Sequence, residues 1–78
     1  MIYLVPMKTS SNIKSTYFDE INELLYVEFH SGGIYEYKNV SKEVILEWQE
    51  AISVGSWFCR NIKGKYDFLR IDTLEEVI

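Results

Sequence analysis

Cysteine is almost missing from this chain, which contains only Cys59 among its 78 residues. A single cysteine cannot close an internal disulfide, so the fold must be held together by its core. A reducing cytoplasm is the simplest setting for such a chain. We interpret Cys59 as a small packing residue, because a reactive thiol needs more electrostatic support than the neighbouring Arg60 provides.

Metal ligands and catalytic motifs are equally scarce. His30 is the only histidine, and together with Cys59 it falls short of the four ligands that a structural zinc site normally needs. The chain has no nucleophile elbow and no glycine-rich phosphate loop. We therefore expect no metal site, no cofactor, no catalytic residues and no enzymatic activity, and we expect His30 to be exposed at the end of a hairpin.

Long hydrophobic runs are absent as well. No segment approaches the roughly 20 apolar residues that cross a bilayer. Residues 1–7 lack the charged start and small-residue cleavage site of a secretion signal. The sequence thus predicts a soluble, cytoplasmic protein with no membrane contact.

Apolar and aromatic residues are abundant, at 47% and 15% of the chain. A chain of this length buries only about 60% of its unfolded surface, so its core has to be dense. Aromatic rings help, because each one removes roughly 150–250 Å² from water when buried. With no repeat or linker in the sequence, residues 1–78 are predicted to form one domain.

Three segments alternate between apolar and polar residues as strands do, namely residues 10–18, 24–30 and 34–38. A polar turn separates the first two segments, and Ser31-Gly32-Gly33 separates the second from the third. Short connections of this kind predict a three-stranded antiparallel meander.

The register of this meander follows from keeping one face apolar. A three-residue loop ending in a left-handed Gly33 pairs Phe29 with Tyr35, and a five-residue first loop pairs Tyr17 with Leu25. We expect Tyr35 and Tyr37 to be core residues. The predicted core face of the sheet consists of Ile13, Tyr17, Leu25, Val27, Phe29, Tyr35 and Tyr37.

Helices are predicted after the strands. Ser41 is a suitable N-cap, and a stripe that includes Trp48 faces the sheet until Gly55 ends the helix. A second, short helix contains Trp57 and ends at Gly64. The predicted fold class is α+β, with a three-stranded antiparallel meander packed against one main helix and a second short helix.

The chain ends have weaker patterns. Residues 1–5 are apolar and stop at Pro6, which suits an extra edge strand. Residues 66–71 fit either a strand or an extended arm, and residues 73–78 fit a helical turn. We therefore allow for an additional edge strand from a terminus.

Charge is distributed unevenly. The net charge is -4, yet residues 1–66 are almost balanced, and most of the acidity lies in residues 67–78. One basic segment, residues 60–66, stands beside aromatic residues. Its cations could contact phosphates while a ring stacks on a base, or they could complement the C-terminal dipole of a helix. The candidate nucleic-acid-binding residues are Arg60, Lys63, Lys65, Tyr66 and Trp57.

An ordered set of short motifs points to a known family. The motifs are Ser10-Ser11-Asn12-Ile13, Tyr17-Phe18-Asp19-Glu20, Val27-Glu28-Phe29, Ser31-Gly32-Gly33-Ile34-Tyr35-Glu36-Tyr37, Asn39-Val40 and Phe58-Cys59-Arg60-Asn61-Ile62-Lys63-Gly64-Lys65-Tyr66. Together they resemble the KTSC domain over residues 9–66, which leaves residues 67–78 as an acidic extension. The family's Y-x-Y motif falls on Tyr35 and Tyr37.

The resemblance implies a domain of unknown function. KTSC domains occur at the C-terminus of some lysyl-tRNA synthetases and as small stand-alone bacterial and phage proteins, so the resemblance suggests RNA as a partner. The alternative is a protein-interaction or self-assembly module, in which the chain pairs with a protein partner or with itself. Such pairing would use a sheet edge or the apolar ends, residues 1–5 and 74–78.

Overall fold

The computed structural model describes residues 2–73, and within them five strands form one antiparallel sheet in chain order. The α+β class is confirmed, whereas the predicted count of three strands is too low. Both ends of the described chain add a strand. The elements are β1 Ile2–Leu4, β2 Ile13–Asp19, β3 Leu24–Phe29, β4 Ile34–Tyr37, α1 Lys42–Gln49, α2 Val54–Asn61 and β5 Phe68–Ile71.

The two added strands occupy the two edges of the sheet. β1 pairs with β2, so the segment allowed as an extra edge strand does form one. Beyond β1, Val5 and Thr16 exchange two hydrogen bonds, of 2.9 Å through the Val5 amide and 2.7 Å through the Thr16 hydroxyl. β5 pairs with β4, which makes the 66–71 segment partly a strand. The predicted helical turn at 73–78 lies almost wholly outside the described residues.

A β-bulge at Lys14 changes the course of β2. Ile13 lies opposite Phe29 as predicted, but Ser15 lies opposite Glu28, so Lys14 is an extra residue without a partner in the ladder. An extra residue turns the rest of the strand over, because side chains alternate with a period of two.

The bulge reverses the predicted faces of β2. Thr16 and Phe18 are buried in the core, with Phe18 opposite Leu25. Tyr17 lies opposite Tyr26 on the other face of the sheet. The prediction that Tyr17 is a core residue is therefore wrong, since alternation alone does not reveal where a bulge is inserted.

The β3–β4 hairpin is shifted by two residues from the predicted register. Val27, rather than Phe29, lies opposite Tyr35. The loop has the predicted three residues but consists of residues 30–32, because Gly32 takes the left-handed conformation, with φ of 103°. A shift of two residues leaves every side chain on its predicted face.

Two serines set the starts of the helices. The Ser41 hydroxyl accepts a hydrogen bond from the Val44 amide, as the sequence predicts for an N-cap. Ser53 caps α2 by accepting from the Ser56 amide at 3.3 Å. The predicted first helix was too long, because Ser53 starts a new helix and Gly55 lies in its first turn.

Trp48 joins both helices to the sheet. Its side chain is fully buried, and its indole N–H donates to the Val54 carbonyl at 3.0 Å. Its ring stacks on Trp57 at 6.1 Å and packs against Phe58 at 5.5 Å between centroids. The core around it consists of Val5, Ile13, Phe18, Leu25, Val27, Tyr37, Val40, Ile45, Val54, Phe58 and Ile62.

The bulge can be tested by comparing two neighbouring substitutions. Phe18→Ala should lower the free energy of unfolding by about 3–5 kcal/mol, because it empties a fully buried site. Tyr17→Ala should cost about 1 kcal/mol, as is usual for a partly exposed position. Urea unfolding of both variants measures the difference. Equal losses, or a larger loss at Tyr17, would contradict the bulge.

Candidate nucleic-acid interface

Five aromatic rings form a closed circuit on the helix-covered face of the sheet. They come from β3, β4, β5 and α2, so the circuit joins the sheet to the second helix. Each ring lies next to two others, with centroids 5.6–5.8 Å apart. Four of the five contacts are T-shaped, which is a favoured aromatic geometry, and the contact between Tyr37 and Phe68 is tilted. In order, the rings are Phe29, Tyr35, Phe68, Tyr37 and Phe58.

These rings line a cavity of about 630 Å³, which we name the aromatic cavity. Its volume falls within the range of roughly 300–1,000 Å³ that is typical of ligand sites. The five rings make up one part of the lining, and mostly polar residues make up the rest. The other lining residues are Ser11, Asn12, Ile13, His30, Ser31, Gly55, Cys59, Lys63 and Gly64. The interpretation of Cys59 as a packing residue is wrong, because Cys59 is exposed on α2, next to the buried Phe58.

One wall of the aromatic cavity is the segment that leads into β2. The Ser10 hydroxyl accepts hydrogen bonds from the amides of Asn12 and Ile13, at 3.2 and 3.3 Å. The Asn12 carbonyl accepts from the His30 amide at 2.9 Å, which ties this segment to the β3–β4 turn. A Cβ at Gly55 would lie 3.5 Å from the Ser10 hydroxyl oxygen, so α2 packs closely against this wall.

The turn after α2 presents two lysines. The amides of Ile62 and Lys63 both donate to the Phe58 carbonyl, and the Lys65 amide donates to the Ile62 carbonyl at 3.0 Å. Gly64 adopts the left-handed conformation, with φ of 78°, which ends the helix. Lys63 and Lys65 are both exposed on this hydrogen-bonded turn.

Two further depressions share part of their lining with the aromatic cavity. The serine groove contains Arg60 and shares Ser11, Asn12, Gly55 and Cys59 with the cavity; its other lining residues are Thr9, Ser10, Ile52, Ser53, Val54 and Ser56. The lysine groove contains Lys38, Lys65, Tyr66 and Asp67 and shares Gly64 and Phe68 with the cavity. We refer to the three together as the continuous groove.

The continuous groove is basic although the chain is acidic. Its lining includes four Lys or Arg side chains, at Lys38, Arg60, Lys63 and Lys65, and one carboxylate, at Asp67. The other carboxylates within residues 2–73 line none of its three parts. They are Asp19, Glu20, Glu23, Glu28, Glu36, Glu43, Glu47, Glu50 and Asp72. The groove is therefore suited to an anionic partner.

Comparison with known proteins identifies the family. Residues 9–66 match the KTSC domain. The chain belongs to the KTSC domain family. This confirms the resemblance seen in the ordered motifs.

Relatives of this KTSC domain include both small proteins and part of an enzyme. A KTSC domain protein from Yersinia pestis has a crystal structure with a TM-score of 0.83 and 30% identity, over 91% of this chain and 99% of that one. An uncharacterised protein of Stutzerimonas stutzeri is 39% identical over 64 residues, 81% of this chain and 90% of that protein. The lysine–tRNA ligase of Nostoc punctiforme is 38% identical over 58 residues, which is 74% of this chain and 10% of the ligase.

The motifs that carry the family resemblance meet at the aromatic cavity. Ser11 and Asn12 come from the first motif, Tyr35 and Tyr37 from the Y-x-Y motif, and Lys63 from the last one, and all five line the cavity. Positions far apart in the sequence thus surround one concave site in this KTSC domain.

The structure brings together four of the five residues predicted to bind nucleic acid. Arg60, Lys63, Lys65 and Tyr66 line the continuous groove. Trp57 does not line it, because its half-buried ring stacks on Trp48 on another flank of α2. The sequence prediction grouped Trp57 with the basic segment because proximity along a helix does not show which flank a side chain occupies.

Phe68 and Lys38 are among the groove residues that sequence reasoning missed. Phe68 is 55% exposed and lies between the aromatic cavity and the lysine groove. Lys38 lines the lysine groove together with Lys65, and its amide donates to the Asp67 carbonyl at 2.9 Å. The strand pattern in residues 66–71 was the available signal for Phe68, while the position of Lys38 depends on β4–β5 pairing.

Tyr37 and Tyr35, predicted as core residues, differ in exposure. Tyr37 is buried and belongs to the core cluster, whereas Tyr35 is half-buried and packs against that cluster. Burial, followed by the neighbouring Tyr35 and Cys59 groups, raises the pKa of Tyr37 to about 12. The phenol of Tyr37 is therefore neutral throughout the physiological range.

Within residues 2–73 the chain contains neither a membrane-spanning helix nor a cluster of metal ligands. Its helices α1 and α2 have eight residues each and are too short and too polar to span a bilayer. Residues 2–73 also contain no group of three or more His, Cys, Asp or Glu side chains arranged to hold a metal ion.

The raised pKa of Tyr37 predicts a loss of stability in alkali. Because the folded pKa lies above the unfolded value of about 10, the stabilisation is complete below about pH 10 and disappears as the pH rises through about 12. Relative to Tyr37→Phe, the wild type should lose about 2–3 kcal/mol of unfolding free energy between about pH 9 and pH 12. Urea unfolding of both proteins across that range measures the loss. Parallel pH profiles would contradict it.

Proposed function

We propose that this KTSC domain is a noncatalytic, cytoplasmic RNA-binding module that holds single-stranded RNA in the continuous groove. The observation that carries the proposal is the coincidence of four cations with partly exposed aromatic rings in one concave surface. Single strands are bound in this way, with cations along the backbone and rings stacked on bases.

The rings best placed for stacking are Phe68 and Tyr35. Phe68 is 55% exposed, Tyr35 is half-buried, and their centroids are 5.7 Å apart. Every base has a π face, so stacking tolerates any sequence. A domain of this design would prefer unpaired RNA, whose bases are available, over duplex RNA.

The net charge of -4 does not oppose this proposal. Fields of exposed charges are screened over about 8 Å at physiological ionic strength, so the local charge of the groove matters more than the total. Carboxylates gather instead on α1, where Glu43, Glu47 and Glu50 are exposed.

The ligase relative supports the choice of RNA. Its name, lysine–tRNA ligase, describes an enzyme that acts on tRNA, and a region of it is 38% identical to this chain. A noncatalytic module of about a tenth of that enzyme's length would serve most simply by adding contacts to RNA.

Salt dependence tests the RNA proposal directly. Each phosphate contact with a single strand contributes a slope of about -0.7 to log K against log salt, so four cations predict about -3. Affinity should then fall about 50-fold between roughly 50 mM and 200 mM salt. Fluorescence anisotropy with tRNA and short single strands measures it. An absence of saturable binding at low salt would overturn the proposal.

A matched pair of charge reversals locates the binding surface. Lys63→Glu should make the salt slope shallower by at least about 0.7, because a phosphate contact is lost. Lys42→Glu makes the same charge change outside the groove, where Lys42 pairs with Glu20 at 3.5 Å between exposed side chains. Equal effects of the two substitutions would show that binding is not confined to the groove.

Self-assembly is the second candidate function, and the free sheet edges favour it. Within residues 2–73, β1 and β5 each pair on one side only. Leu4 on β1 and Leu69 on β5 are 58% and 52% exposed. Exposed apolar edge strands can pair with another chain. The apolar segment 74–78, also considered as a pairing site, lies outside the described residues.

Sedimentation velocity distinguishes this candidate. If β5 pairs between copies, the sedimentation coefficient should rise with protein concentration, and Leu69→Lys should keep the protein monomeric because a lysine blocks edge pairing. A matched Leu46→Lys change on α1, where Leu46 is 51% exposed, should have no effect. A monomer at all concentrations would exclude pairing through the sheet edge.

A further inference from the structure

We infer that the aromatic cavity accepts one unstacked nucleotide, with its base among the five rings and its phosphate at Lys63. The inference rests on the proposed function, and it adds a specific subsite to a groove otherwise described by charge alone. Four observations support it: the closed circuit of five rings, the Tyr37 hydroxyl that has no hydrogen-bond partner within residues 2–73, the positive charge of Lys63, and the lining residues that the cavity shares with both neighbouring grooves.

The circuit of rings offers a planar group two kinds of contact. Phe29 and Phe58 meet Tyr35 and Tyr37 at interplanar angles of 70–81°, so ring edges and ring faces both border the cavity. An aromatic ligand can therefore stack on one ring while its edge meets another, which is the favoured geometry for such pairs. An aliphatic chain would gain only burial from the same surroundings.

The hydroxyl of Tyr37 has no hydrogen-bond partner among residues 2–73. Tyr37 is 5% exposed and lines the cavity, yet within residues 2–73 its hydroxyl makes no hydrogen bond. The comparable group of Tyr26 donates to Glu36 at 2.8 Å, and the indole N–H of Trp48 donates to Val54. Among residues 2–73, every side-chain N or O atom that is fully enclosed has a hydrogen-bond partner, so the unpaired Tyr37 hydroxyl must keep some solvent access, which the cavity it lines supplies.

The Tyr37 hydroxyl is available to form a hydrogen bond with a base. Buried polar groups are normally hydrogen-bonded, and this one can donate to or accept from a ligand that enters the cavity. The raised pKa of Tyr37 keeps its proton in place at neutral pH. Base edges carry both acceptors and donors, which a hydrocarbon ligand does not.

Charge decides between two ligands that aromatic cavities commonly bind. Quaternary ammonium groups are held by rings through cation–π attraction. Here the lining includes Lys63 and no carboxylate, so a cation would be repelled and an anion attracted. A base joined to a phosphate offers an aromatic group for the rings and a negative charge for Lys63. A methylated ammonium is suited only to the rings.

A nucleotide within a strand and a free mononucleotide share this chemistry. The serine groove and the lysine groove adjoin the cavity at different parts of its lining, with Arg60 in one groove and Lys65 in the other. A strand can thus enter along one groove and leave along the other while a single base turns into the cavity. We therefore favour the strand, and the experiment separates the two sources.

The experiment compares three labelled probes by fluorescence anisotropy: an RNA of about eight nucleotides, an abasic strand with the same number of phosphates, and uridine or adenosine monophosphate. The RNA should bind roughly 5- to 150-fold more tightly than the abasic strand, because base stacking is lost. Saturable binding of the mononucleotide without any binding of RNA would support the cavity but overturn the proposed function.

Variants test the cavity itself. Cys59→Trp fills it from an exposed position on α2 and should reduce RNA affinity to the abasic level, whereas Leu46→Trp on α1 should change nothing. Tyr37→Phe keeps the ring, removes the hydroxyl and should weaken RNA binding by roughly 2- to 13-fold with no effect on the abasic strand. Circular dichroism verifies that each variant is folded.

The possible results distinguish failure of the nucleotide subsite from failure of the proposed function. If the RNA and the abasic strand bind equally and both depend on Lys63, the groove binds RNA but the nucleotide subsite is overturned. If neither strand binds and the mononucleotide does not bind either, the proposed function and the subsite both fail. If Cys59→Trp and Tyr37→Phe leave the preference for bases intact, the base lies elsewhere in the groove.

Discussion

The burial of Trp48 is the constraint on which the rest of the structure depends. Its indole N–H bonds to the Val54 carbonyl, which belongs to the first residue of α2, so one side chain of α1 fixes where the second helix begins. The ring also packs on Phe58, which in turn meets Tyr37 at 5.6 Å. Through this chain of contacts α2 is held over β4, and the aromatic cavity exists because of that placement.

A small domain gains stability and a site from the same aromatic residues. With about 0.05–0.15 kcal/mol of stability per residue, a chain this short has little to spare, so its rings must pack on one another. The circuit of five rings does so while leaving Phe68 and Tyr35 partly exposed. Lys63 and Lys65 lie on a turn that is defined by Gly64 and by hydrogen bonds to the Phe58 carbonyl, so their positions also follow from the fold.

Local chemistry in the sequence predicted much of this fold. The Ser41 cap, the apolar face of β3 and β4 and the three-residue hairpin loop were all predictable from short-range rules. The bulge at Lys14 was not, because nothing in an alternating segment shows where one residue is skipped, and it exchanged Tyr17 for Phe18 in the core. The basic segment was visible in the sequence, but Phe68 and Lys38 joined it only through β4–β5 pairing.

The central claim is that one face of an acidic domain forms an RNA-binding groove along α2. Titration of isotope-labelled protein with a short single-stranded RNA, followed by amide chemical shifts in NMR spectra, tests it residue by residue. We expect the largest changes at Asn12, Cys59, Lys63, Lys65 and Phe68, and negligible changes at Tyr17 and Glu28 on the opposite face of the sheet. Shifts concentrated on that opposite face, or no shifts at low salt, would contradict the claim.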